Sequence, residues 1–152
     1  MKVGEYTVAA QPDVPRVITC TRTAVGTADT PGTIIIVGTN YNDEPISETL
    51  TVGAHATLVT GTKAFKRVNS VTGEGWIIDA VEGTADTIVV GVGAAVGLPI
   101  AIKSAGQVVS AQLGTAFAVP SASADSTGVL EKSLVTLTTW DGAKVGGVFI
   151  RS

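Results

Sequence analysis

The sequence predicts an all-β fold, an antiparallel β-sandwich or barrel carrying an extended N-terminal arm. Three observations lead there. Its β-branched segments are short and bounded by Gly, Asn, Asp or Pro, the punctuation of successive antiparallel strands. No segment keeps a helical apolar period over 11 residues or more. The composition is 45% apolar but only 15% charged, with 18 glycines among 152 residues, where globular chains average roughly 25% charged. Exposed helix faces need Glu, Lys and Arg, so that balance favours strands and turns. At 15.3 kDa one domain with a real core is expected.

In chain order, residues 1–15 form the predicted arm. Val3 to Ala9 can pair at a sheet edge, but Gln11-Pro-Asp-Val-Pro15 blocks regular ladder bonding. Ordering an isolated segment costs about 1–2 kcal/mol per residue, so the arm is expected to make contacts outside its own domain. Residues 16–152 are then a single β domain. Arg16 to Arg22 alternates as a half-buried strand, with Cys20 as a buried core thiol. Gly26-Thr-Ala-Asp-Thr30 recurs as Gly83-Thr-Ala-Asp-Thr87. Each copy precedes a β-branched run, and each Asp is expected to bond its own downstream backbone in a polar turn. A duplicated half-domain and convergent turn chemistry both account for the echo.

Thr33–Thr39 and Ile46–Val52 predict a hairpin over Asn40 to Pro45. Strands are expected at Thr57–Val59, Lys63–Thr72 and Gly75–Val81, with Glu74-Gly75 as the reversal between the last two. The last carries Trp76, Ile78 and Ala80 on one face. The charge-free run between Asp86 and Lys103 is too short and too rich in Gly and Pro for about 20 spanning residues. Two buried strands, Thr87–Gly93 and Leu98–Lys103, explain it, and no membrane partner is expected. Val108-Val109 and Ala116–Val119 are short strand candidates. Pro120 to Gly128 reads as a mobile loop near 120–128. Leu134–Trp140 and Ala143–Ile150 predict a closing hairpin around Asp141-Gly142, a dipeptide suited to positive φ.

No catalytic, cofactor-binding or metal site is expected. His55 is the only histidine, and no nucleophile–base, zinc or phosphate-loop spacing accompanies it. Asn40, Asn42, Asp43 and Glu44 resemble a calcium loop in composition but not in spacing, and plain turn chemistry is preferred. Glu44, Glu48, Asp79 and Glu82 are acidic enough for a glycosidase pair, against which stands their place as solvent-facing charges on strands. Gly91-x-Gly93-x-x-x-Gly97 lacks the following helix of a dinucleotide fingerprint. Trp76 and Trp140 suit sugar stacking in principle, core or subunit contacts more naturally. A net charge of −3, with Lys63, Lys66 and Arg67 as the densest basic group, argues against a nucleic-acid partner. The single cysteine excludes an intrachain disulfide, and Met1 to Tyr6 lacks the apolar core of a signal peptide.

The stretch Thr33-Ile-Ile-Ile-Val-Gly-Thr-Asn-Tyr-Asn-Asp-Glu-Pro-Ile-Ser-Glu-Thr-Leu50 resembles a pattern of tailed-phage virion proteins, a strand T-x-T-G-T-D/N, a polar turn, then I-x-E-T-L/I. Gly61-Thr-Lys-Ala-Phe-Lys-Arg-Val-Asn-Ser-Val71 is similar to the same family's G-T-K-A-F-x-x-V-x-S-I. Asp86-Thr-Ile-Val-Val-Gly-Val-Gly93 and Gly97-Leu-Pro99 follow in the family's order. The likeness covers roughly residues 26–103, with a weaker echo in Leu134 to Ile150. It implies a non-enzymatic virion structural protein of the capsid decoration or head-fibre type, assembled in the host cytoplasm and bound to the major capsid protein or another virion protein. A homo-oligomer, with a trimer favoured, would cover low-charge surface and sheet edges. A tail, baseplate or fibre-associated virion protein is the alternative, and a carbohydrate-binding module a more distant one.

Overall fold

The computed structural model describes residues 10–25, 29–77, 86–113, 116–118, 121–124, 128–136 and 146–151. Within them lie strands β1 (Arg16–Thr23), β2 (Thr33–Thr39), β3 (Pro45–Thr51), β4 (Leu58–Phe65), β5 (Arg67–Glu74), β6 (Thr87–Gly97), β7 (Val108–Leu113), β8 (Ala116–Ala118), β9 (Ser121–Ser123), β10 (Leu134–Thr136) and β11 (Gly146–Ile150). Two single 3-10 turns, Ala105–Gln107 and Leu130–Lys132, complete the elements. The strands form sheets ordered β3-β2-β5, β4-β1-β6-β10-β9 and β11-β7-β8. The fold is all-β, its curled antiparallel sheets making a half-barrel.

Period-two alternation along β1, β2 and β3 builds most of the main core, and an irregularity between Val68 and Ser70 brings both valines of β5 to the same side. Ile34 and Ile36 of β2, Ile46 and Leu50 of β3, and Val68 and Val71 of β5 meet Ile18 and Cys20 of β1 and Phe65 of β4. Ile34, Ile36 and Phe65 are completely buried. A second core joins Leu98, Ile102, Val108 and Val135, with Ala122, Val148 and Ile150 at its rim. The 11-residue β6 links the two, its Ile88 and Val90 packing on the first and its last three residues pairing with β10, which carries Val135 of the second.

The predicted hairpin β2–β3 forms, with Thr33 opposite Thr51 and Thr39 opposite Pro45, so the returning strand begins at Pro45 and ends at Thr51 rather than running Ile46–Val52. Elsewhere the structure corrects the sequence reading. Lys63–Thr72 is not one strand. The chain leaves the five-stranded sheet after Phe65 and enters the three-stranded one at Arg67. Lys66 forms the corner, donating its amide to Thr39 O at 2.8 Å. Glu74-Gly75 makes no reversal either. Thr33 pairs with Glu74 and, three residues further along each strand, Thr30 bridges Ile77, so the chain runs straight on through Gly75 at φ +71°. Ile78 and Ala80 lie outside the described residues.

Leu98–Lys103 is not a strand. Pro99 lacks an amide, and Ser133 takes the flanking donors instead: Leu98 N–H reaches Ser133 O at 2.9 Å and Ile102 N–H reaches Ser133 Oγ at 2.9 Å. Ser121–Ser123, expected within a mobile loop, pairs with β10. The expected closing hairpin is also replaced. Both edges of β10 are taken, by β6 and β9, and β11 pairs with β7; Asp141-Gly142 lies outside the described residues. Residues 10–15 of the arm lie on the domain itself. Gln11 bonds both main-chain groups of Val68, and Pro15 O accepts from Gly97 N–H at 2.7 Å.

Candidate functional site

The polar residues singled out from sequence are mostly engaged in holding the fold. Asn40, 2% exposed, turns its side-chain oxygen inward to accept from the Asn42 and Glu44 amides at 3.0 and 3.1 Å. Its Nδ2 donates to Glu44 Oε2 at 2.7 Å. The loop thus satisfies its own donors, with Asp43 in the left-handed region at φ +64°, and its oxygens are committed to the turn rather than to a cation. Among the described residues, no group of three or more His, Cys, Asp or Glu is placed to hold a metal ion.

Glu48 sits on β3 beside the edge of β4. Its Oε1 accepts from the Thr62 amide at 2.6 Å and the Thr62 hydroxyl at 2.9 Å, while Lys63 Nζ returns to Ser47 O at 2.9 Å. The carboxylate thus takes up an edge amide of β4 and ties β3 to that strand. Glu44 and Glu48 therefore occupy separate structural posts; Asp79 and Glu82 lie outside the described residues, as does Trp140. Trp76 packs half-buried against the main core and donates its indole N–H to Thr33 O at 3.3 Å. Gly91, Gly93 and Gly97 all lie within β6. Lys66 pairs with Asp43 at 2.6 Å and Lys63 with Glu131 at 3.8 Å.

An ion pair that the sequence reading missed lies at the other end of β1. Arg22 and Asp86 meet at 2.5 Å with side chains only 7% and 4% exposed. The Val25 amide donates to Asp86 Oδ1 at 2.9 Å, and Arg22 Nη2 donates to Asp29 O at 3.0 Å. Burial alone would push the Asp86 carboxyl up; the Val25 amide and the Arg22 guanidinium outweigh it and hold the carboxyl below the ordinary range. Asp29 and Asp86 occupy the same place in the two Gly-Thr-Ala-Asp-Thr copies, so both copies converge on one guanidinium. Asp86 does not make the local downstream bond expected of it. Exposed His55 lies nearby, its Nδ1 accepting from the Ala24 amide at 3.0 Å.

The feature best suited to engaging another molecule is apolar. A groove of about 310 Å³ is lined by Val14 and Pro15 of the arm, Tyr41 of the β2–β3 turn, Val96 to Pro99, Val135, and Val148 and Ile150 of β11. Tyr41 contributes the sole side-chain polar atom of that lining and is 42% exposed. Exposed apolar side chains occur elsewhere too: Leu58 and Val89 both stand opposite Thr21, on either side of β1. Among the described residues, no helix is long and apolar enough to cross a membrane. No protein-family model, curated protein or solved structure matches the chain.

Proposed function

We propose that this chain is a non-enzymatic structural protein of a tailed-phage virion, a capsid decoration protein that binds the major capsid lattice as a homo-oligomer, with a trimer favoured. The observation that carries this reading is the apolar groove beside Tyr41, open on a surface of low charge density. Such a surface suits ordered protein contacts, because it presents few long flexible side chains whose freedom would be lost on docking. A Tyr at the rim of an apolar recess is a frequent anchor of protein interfaces. The resemblance of residues 26–103 to phage virion proteins supplies the class of partner.

Cryo-EM of particles of the phage that encodes the chain tests the reading. Density for an all-β domain on the outer face of the capsid is the expected result. Density confined to the tail, baseplate or fibres, or no density on any particle, would overturn it.

A further inference from the structure

In the sheet β3-β2-β5, Ile34 and Ile36 of β2 and Ile46 and Leu50 of β3 face the main core. The alternate residues of both strands therefore face outward, as do their partners in register on β5. Thr49, Ile35 and Thr72 form one outward row, and Ser47, Val37 and Ser70 form the next. An aliphatic pair thus runs down the middle of the face, with a hydroxyl on either side of each member. Val37 is 39% exposed, and Ser47 and Thr49 are exposed. Glu74 stands beside Thr33 at one end of the face, and Arg67 beside Thr39 at the other. Both are exposed. They carry the only charges on these outward positions, and neither joins an ion pair among the described residues.

That arrangement is complementary to itself. Consider a second copy laid on the face by a two-fold axis that crosses the strands at the level of Ile36. Its strands run antiparallel to the first set, within the about 30° that aligned sheets adopt. Arg67 of each copy then lies over Glu74 of the other. The same operation sets Ile35 against Val37, Thr49 against Ser47 and Thr72 against Ser70, so aliphatic meets aliphatic and hydroxyl meets hydroxyl. A two-fold axis along the strands would instead lay β5 on β3, with Glu74 over Thr51 and Arg67 over Pro45. The charges select the first. Packed sheets stand about 10 Å apart, a gap that an arginine and a glutamate side chain span together. An isologous contact of this kind closes at two copies and builds no fibre.

We infer that the outer face of β3-β2-β5 is a two-fold contact between copies of this chain, its orientation fixed by reciprocal Arg67–Glu74 ion pairs. Three strands spaced about 4.8 Å apart over about 20 Å cover roughly 300 Å² per copy. A stable interface buries about 800 Å² per partner. The contact is therefore weak in free solution and serves copies, or oligomers, that are already held close together. None of its residues lines the groove, so one copy can use both surfaces at once. The contact does not depend on the capsid reading.

Sedimentation equilibrium of the full chain, from micromolar to millimolar concentration at low ionic strength, tests this. The expected result is a reversible doubling of mass. Arg67→Glu and Glu74→Arg should each weaken the doubling by about tenfold or more, because like charges then meet twice. The chain carrying both substitutions should associate as the unsubstituted chain does. An equimolar mixture of the two single variants should do so too, since each supplies the charge that the other lacks. Arg67 and Glu74 are exposed, so every variant should keep the unsubstituted thermal midpoint. Absence of mass doubling would overturn the inference. Single variants that associate normally, or a double variant no stronger than the singles, would do the same. Mass doubling with this charge pattern, in a chain that leaves no density on any phage particle, would overturn the capsid reading alone.

Discussion

Arg22 and Asp86, 64 residues apart in the chain, form an ion pair at 2.5 Å that is almost sealed from solvent. It fastens the end of β1 to the start of β6 and gathers the Asp29 carbonyl and the Val25 amide around it. Both ions are desolvated, so the pair is held less by net attraction than by the cost of leaving either partner alone.

A pH dependence follows from the depressed Asp86 carboxyl. The unfolded chain binds this proton near pH 3.9, the folded chain only at lower pH. The stabilisation is therefore complete above about pH 4 and is lost as pH falls through the folded value. Asp86→Asn should cost about 3–5 kcal/mol at pH 7, and thermal denaturation from pH 7 to pH 3 should show the difference from the unsubstituted chain shrinking at the acid end. A difference constant across that range would mean the carboxylate charge is not what matters.

The legible parts of this fold were those in which sequence neighbours are structural neighbours. The β2–β3 hairpin could be read because Asn40 supplies the turn chemistry locally and the isoleucines alternate. The corner at Lys66 was hidden because Ala64 and Phe65 are buried in succession, which masks the break between two strands. Ser133 captures Leu98 and Ile102 from more than thirty residues away, so an apolar run read as a strand became a loop. The groove draws its lining from five separate stretches, and the Arg22–Asp86 pair joins distant ones. Only the repeated Asp of the two Gly-Thr-Ala-Asp-Thr copies hinted at the latter.

Gly32 should tolerate no side chain. A Cβ there would lie 1.9 Å from Glu74 O and 2.8 Å from the Gly75 carbonyl carbon, backbone that cannot rotate away. Gly32→Ala should destabilise the domain by about 3 kcal/mol, the upper part of the usual overpacking range. Among the described residues Gly147 meets nothing within 4 Å, so Gly147→Ala should be neutral or stabilising by up to about 1 kcal/mol. Urea unfolding of both variants checks the contrast, and equal midpoints would contradict it.

Cys20 should be chemically silent in the folded chain. It is 1% exposed in the main core, and burial pushes its thiol pKa up, away from the reactive thiolate. A colorimetric disulfide reagent at pH 8 should modify it only as fast as the domain unfolds, and at once in denaturant. Rapid stoichiometric labelling under native conditions would show that the β1 packing opens far more readily than its burial implies.

Tyr41 separates attachment from stability. It stands on the β2–β3 turn at the mouth of the groove, and its turn is held by Asn40 and Glu44 rather than by its own ring. Tyr41→Ala should therefore change unfolding free energy by no more than about 0.5 kcal/mol, as surface substitutions do. A rim aromatic that fills a partner's surface is worth about 2 kcal/mol or more in binding, so attachment to purified heads should weaken by roughly thirtyfold. Thr60→Ala, on the exposed face of β4, serves as the comparison and should bind like the unsubstituted chain. Cosedimentation with heads across a concentration series measures both. If Tyr41→Ala binds as tightly as Thr60→Ala, the groove is not the docking surface, and the contact with the particle must be sought on the sheet face that carries Leu58 and Val89.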